Sequence, residues 1–427
     1  MTDGTETGPR TPWKRIRVLM LAAAVGVAGL AGCQGNGVHT SAQISAAQQK
    51  WSVIKSATEW DMARQAYLAG NLDKALKRVD RSLAMNGSVA KSHVLRGRIL
   101  IEKGDLEAAI DAFLKAEAID PDNTQAQYYL GIIYERFSQP ERALTRYRKA
   151  GELDTSDPQF AIAAAEMMIQ MGRLDEAEDY LQSRRPTFEY NAGIRQTLGH
   201  IALIKGDAPR AARLFGEARL LAPDDEAIVE DLTRAQMATD QFAKAEYNIS
   251  ALLAKPENAN RRDLLHMRAR CLVELDRPVE ARDVLLSLTS GREGAGDVQA
   301  WIQLGNIAHK LNDRKRLRAA AQRVIAQAPQ RPEGYVLLAT WRRESGDLAG
   351  AITSLNEAIR LSPGDARPIL LRGLVEEEMA DYAKAAQTYA FAAAMSPEQA
   401  DSLYRLRDAA MAHVAAGALS AEQDTSE

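Results

Sequence analysis

The chain has 427 residues, 46% of them hydrophobic but only 6% aromatic, and a formal net charge of −3. No basic stripe interleaved with aromatics is present, which excludes a nucleic-acid binder. The two cysteines, Cys33 and Cys271, exclude a disulfide framework. Alanine and leucine dominate, so helix is favoured over strand.

Lys14, Arg15 and Arg17 precede an apolar run from Val18 to Ala31. The run is too short for a comfortable membrane span and has the length of a signal-peptide core. It ends Leu30-Ala31-Gly32-Cys33, and small residues ahead of a cysteine behind such a core resemble the lipobox of bacterial lipoproteins. The resemblance implies that residues 1–32 are a signal peptide and that the Cys33 thiol is acylated. An ordinary signal peptide cut elsewhere, or an uncleaved anchor, is the alternative. Gln34, not Asp, follows the cysteine. By the same resemblance this favours the outer membrane, facing the periplasm, over the inner membrane. Residues 33–45 are polar and small and read as a tether. A helix is expected from near Ala46, with Trp51 and Ile54 on its inner side.

From residue 56 a turn signal recurs at Gly70, Gly104, Ser138, Gly172, Gly206, Asp240, Asp276, Asn312, Gly346 and Ala380. The spacing is 34 residues except for two steps of 36. Five residues after each mark stands alanine (Ala75, Ala109, Ala143, Ala177, Ala211, Ala245, Ala281, Ala351 and Ala385), broken only by Leu317. Seven residues before each mark stands a mostly small residue, among them Ala63, Gly97, Gly131, Ala165, Gly199, Thr233, Gly305 and Gly373. Small side chains at both places let two antiparallel helices approach closely. Gln127-x-x-Leu130-Gly131-x-x-Tyr134 with Ala143-x-x-x-Tyr147, and Trp301-x-x-Leu304-Gly305, resemble the tetratricopeptide (TPR) motif. The resemblance implies an all-α TPR superhelical solenoid of about ten helix–turn–helix repeats over residues 46–399.

The pattern is irregular near 182–191, 255–262 and 288–298. Arg184-Arg185-Pro186 should shorten a helix, and Pro256 and the glycines at 291, 294 and 296 mark loops. Residues 400–416 are amphipathic and read as a capping helix, which a terminal repeat requires. Residues 417–427 are acidic and polar and read as a disordered tail.

Nothing in the sequence matches a zinc-protease, nucleophile-elbow, phosphate-loop or C-x-x-C signature, so no catalytic residue, metal or cofactor is assigned. Cys271 reads as a small buried residue. After the leader, tether, repeats, cap and tail, almost no sequence remains for a catalytic domain. The TPR resemblance implies that first helices line a concave peptide-binding groove. Its candidate residues are Trp60, Arg64, Tyr67, Val94, Arg98, Ile101, Tyr128, Ile132, His200, Arg234 and Arg270. Apolar side chains there would supply anchors, and the arginines would pair with carboxylates. The expected function is a membrane-anchored scaffold for other envelope proteins or peptide segments, as in assembly, secretion, pilus or cell-wall machinery. An enzyme or accessory factor of cell-wall or polysaccharide modification with an unrecognised site is one alternative, and a self-assembling structural protein is another.

Overall fold

The computed structural model describes residues 38–424, with side chains described from 43 to 416. The leader and Cys33 lie outside the described residues. All described regular structure is helical, and the chain forms two compact units, up to Asp105 and from Leu106. The first unit consists of the helices Val38–Leu68, Leu72–Met85 and Ala90–Lys103. The second runs from the helix Leu106–Ile119 through further helix pairs to Ala400–Asp424. Within each unit successive helices pack on one another, which is the architecture of TPR repeats.

The ten marks have one conformational cause. Each has positive φ, from +53° at Asp276 to +83° at Gly104 and Gly346, and the only other described residue with this feature is Gly291. Each ends a first helix in the left-handed region. The next amide reaches back to a carbonyl of the last turn, as Asp105 N to Leu100 O at 3.0 Å and Asp381 N to Glu376 O at 2.9 Å. The chain then reverses into the second helix, often through an aspartate or asparagine side chain that caps its amides, as Asp207 does for Arg210 and Asp313 for Arg316.

The alanine five residues on is fully buried in every repeat that has one, and Leu317 is fully buried in its place. Where both positions lie in one unit, the small residue seven before a mark is sized to what lies opposite, nine residues after the mark. A Cβ on Gly131 would sit 2.5 Å from the Tyr147 ring, one on Gly199 2.6 Å from Phe215, and one on Gly373 2.5 Å from Tyr389. Alanine or threonine at the same place goes with a buried aliphatic residue, as in Ala165 with Leu181, Thr233 with Ile249 and Ala339 with Leu355. Gly305 is the exception: Ala321 stands opposite, and Leu337 of the next repeat reaches in, 2.6 Å from the position of its absent Cβ. Constant volume across the seam keeps the helix spacing even while the residues vary.

Three features differ from the sequence reading. The first helix begins at Val38, inside the segment read as tether. Its packed side carries Ser56, Ala63 and Ala66, with Ser82 Oγ donating to Ser56 O at 2.8 Å, so Trp51 and Ile54 point outward. The final helix runs to Asp424, through most of the segment read as tail. The irregular stretches follow local chemistry. The helix Leu174–Arg184 ends before Pro186, the connection after Leu253 holds no helix until Arg262, and a short helix Gly291–Ala295 fills the third.

Candidate functional site

In each unit the candidate surface is the face made by its first helices. In the first unit Trp60 and Tyr67 are half-buried. Trp60 Nε1 donates to Lys91 O at 3.3 Å while the Lys91 ammonium lies 4.5 Å from the ring centre. Tyr67 donates to Glu102, and the Arg98 guanidinium sits 5.0 Å from its ring. Burial and the Glu102 carboxylate raise the Tyr67 pKa, opposed by Arg98. Arg64 is exposed and Ile101 half-buried. Val94 is a correction: it is 3% exposed and belongs to the core between helices, so it cannot anchor a ligand.

In the second unit Tyr128 is half-buried at the centre of an aromatic group, its ring 5.5 Å from Tyr129, 5.7 Å from Tyr147 and 5.3 Å from Phe160. Ile132 lies one turn on, also half-buried. Tyr147 Oη donates to Glu135 at 2.7 Å. Glu166 is pushed above the ordinary carboxylate range by burial and by the Glu135 charge, with His200 opposing.

A polar ladder that sequence reasoning missed follows. Asp231 accepts from Gln196 Nε2 at 2.9 Å and bonds His200 Nε2 at 2.7 Å. Two repeats later Asp297, the N-cap of the helix Val298–Lys310, plays the same part from a different position: it bonds Arg262 and, at 2.8 Å, His266 Nε2. In both cases one carboxylate receives two donors four residues apart on the preceding first helix. Burial alone would raise both aspartates, but His200 and Gln196 hold Asp231 below its ordinary value. Asp297 is likewise held down by the Ala300 amide, His266 and Arg262. His309 with Glu344 and Arg343 with Glu378 extend the series, each pair 35 residues apart. Gln196 with Asp231 and Arg262 with Asp297 share that separation of 35, and each histidine stands 31 residues before its aspartate. Arg234 is exposed and pairs with Glu230 at 3.1 Å and Asp231 at 3.2 Å, while Arg270 is exposed.

A walled recess lies farther along the first-helix face of the second unit. It has a volume of 290 Å³. Ile302, Pro332, Val336, Leu337 and Pro368 give it apolar walls, and Asn306, Glu333, Asp365 and Arg367 stand at its rim. Asp365 and Arg367 are paired at 2.7 Å. A larger hollow of 720 Å³ on the second helix Ala208–Leu221 is more open and lined by Arg213, Gly216, Glu217, Arg219 and Leu220. Among the described residues no three histidine, cysteine or carboxylate side chains gather as a metal site. Cys271 is fully buried, and burial with the Glu246 charge pushes its thiol up to about 11.

Residues 97–136 match a family model described as TPR repeat, and residues 302–366 match one described as tetratricopeptide repeat. The chain is similar to BBSome complex member BBS4 of Bos taurus, 25% identical over 181 residues, covering 42% of this chain and 35% of that one. It is similar to cellulose synthase operon protein C of Pseudomonas fluorescens, 24% identical over 329 residues, covering 70% of this chain and 25% of that one. The chain thus spans well under half the length of these curated relatives. Among solved structures it resembles PilF of Pseudomonas aeruginosa, with TM-score 0.40 and 17% identity over 47% of this chain and 90% of that one. It also resembles the type IV pilus biogenesis factor PilW, with TM-score 0.42 and 15% identity over 48% and 96%.

Proposed function

Starting from a tetratricopeptide-repeat protein, a scaffold for protein–protein interaction, we propose that this chain is anchored to a bacterial envelope membrane through acylated Cys33 and captures a peptide segment of a partner on its first-helix face. The observation that carries the capture is the recess between Ile302, Val336 and Pro368. It is the size of one or two apolar side chains, and the Asn306 amide at its edge can bond a peptide backbone. The partner is an envelope protein. The sorting signal at Gln34 favours the outer membrane, with the repeats in the periplasm. Anchoring confines the array to a surface, where modest contacts suffice for capture. In the first unit, Trp60, Tyr67 and Arg98 offer a second, more polar contact.

The test places a photo-crosslinking residue at Val336, at Arg64 or, as a control, at Tyr247 on a second helix, and identifies the products by mass spectrometry. One partner peptide crosslinked from Val336 and absent from Tyr247 is expected; Val336→Arg should abolish it. Crosslinking from Tyr247 alone would overturn the site. Arg64→Glu with Arg98→Glu is expected to weaken capture less than Val336→Arg. The anchor is tested separately: Cys33→Ala should abolish incorporation of labelled fatty acid, and retained labelling would refute acylation there.

A further inference from the structure

The first helix is 31 residues long, against 13 or 14 in most other first helices. Its carboxy-terminal half packs through Ser56, Ala63 and Ala66. The amino-terminal half projects past the repeat and carries an apolar stripe that nothing among the described residues covers: Ile44 is 46% exposed, Trp51 62% and Ile54 58%. With Ala47 these residues follow the i, i+3, i+7, i+10 spacing of one helix face. At 100° per residue that face lies roughly opposite Ser56 and Ala63. Lys50 and Lys55 fall on its two flanks. From Val38 to Thr58 there is no carboxylate, although the chain has 57 acidic residues.

An uncovered stripe could meet a second copy, a partner helix or a lipid surface, and three features select the lipid surface. The stripe is narrow, has alanine at one of its four positions and carries a tryptophan, the side chain favoured at the membrane–water boundary. Its flanks hold only positive charge, which complements anionic headgroups and would repel a parallel copy of itself. The helix begins five residues after Cys33, a span of at most about 18 Å, so the anchor holds the stripe at the bilayer.

We propose that residues 43–55 form an interfacial helix lying on the membrane, with Ile44, Trp51 and Ile54 in the acyl boundary and Lys50 and Lys55 at the headgroups. This rests on the anchored reading of Cys33. The helix fixes the orientation of the first unit relative to the membrane, because it is continuous with the helix that builds repeat one.

The test uses the full 427-residue gene product, expressed in a bacterial host and reconstituted into phosphatidylethanolamine–phosphatidylglycerol vesicles whose lipids carry bromine at shallow or deep acyl positions. Flotation reports the anchor, and tryptophan quenching reports the helix. Floating protein is expected to show a quenched component with shallow bromine that disappears in Trp51→Phe. Ile44→Glu with Ile54→Glu should cut that quenching several-fold while the protein still floats. Circular dichroism should be unchanged, since both side chains are solvent-facing. Floating protein whose Trp51 emission is indifferent to bromine overturns the interfacial helix and leaves the anchor standing. Protein that does not float overturns both. Trp51 shielding that depends on protein density and not on bromine identifies a second copy as the occupant and also overturns the proposal.

Discussion

Gly131 leaves the space that the Tyr147 ring occupies: a Cβ on Gly131 would lie 2.5 Å from Tyr147 Cε1, inside any permissible contact. Tyr147 is in turn pinned by its bond to Glu135, so the ring cannot swing aside without losing a partner. Gly131→Ala is therefore expected to destabilise the fold by about 1–3 kcal/mol through overpacking. Adding Tyr147→Leu, which reproduces the Ala165 and Leu181 combination, should recover part of the loss. Denaturant unfolding of the two single variants and the double variant measures the coupling, and strict additivity would contradict the size-matching of the seam.

Gly216 is the contrasting case. It sits within the helix Ala208–Leu221, and nothing lies within 4 Å of where its Cβ would be. Gly216→Ala should raise stability by about 0.5–1 kcal/mol, by restricting the unfolded chain. Thermal unfolding reads the sign directly.

Ala380 occupies the turn position with φ +60°, where five of the other marks are glycine. A Cβ in the left-handed region costs roughly 1–2 kcal/mol, and glycine removes that strain. Ala380→Gly should stabilise the last repeat by about 1 kcal/mol, less the entropy glycine loses on folding. Amide exchange of the helix Tyr382–Met395 should slow; unchanged or faster exchange would contradict the strain.

Asp297 is held below its ordinary value in the folded chain, burial being outweighed by the Ala300 amide and the donors His266 and Arg262. Its stabilising contribution is then fully present above the unfolded aspartate pKa near about 4, and is lost as the pH falls through the lower folded value. Asp297→Asn preserves an N-cap for the helix Val298–Lys310 but removes the charge. The variant should be less stable than the parent at neutral pH by about 1 kcal/mol, and the difference should shrink as the pH falls below about 4. Urea midpoints across that range test it, and a gap that does not change with pH would show that charge is not the cause.

Cys271 is fully buried, with a thiol pushed up to about 11 by burial and the Glu246 charge. In the Cys33→Ala chain, a disulfide exchange reagent at pH 8 should modify nothing in the folded state and one thiol per chain after denaturation. Rapid native modification would place Cys271 at a surface.

The sequence by itself determined the repeat, because each mark answers a local demand. A first helix must stop, turn through a left-handed residue and reverse, and close helix approach needs a small residue at fixed distances on either side. These demands act within about 20 residues of chain and leave a period in the letters. Ala75, Gly131 and the turn at Gly206 were legible for that reason. The tertiary structure alone decided which way side chains on a first helix face once the next repeat is in place. Val94 turned inward to the core, while Trp51 and Ile54 turned outward, because the period specifies a repeat's own seam but not what lies beyond its ends. The ladder at Asp231 and Asp297 and the recess at Ile302 and Val336 likewise form between successive repeats. Such groups meet only when neighbouring first helices stack, and the rotation of that stacking, not the spacing of residues along the chain, brings their atoms within bonding distance.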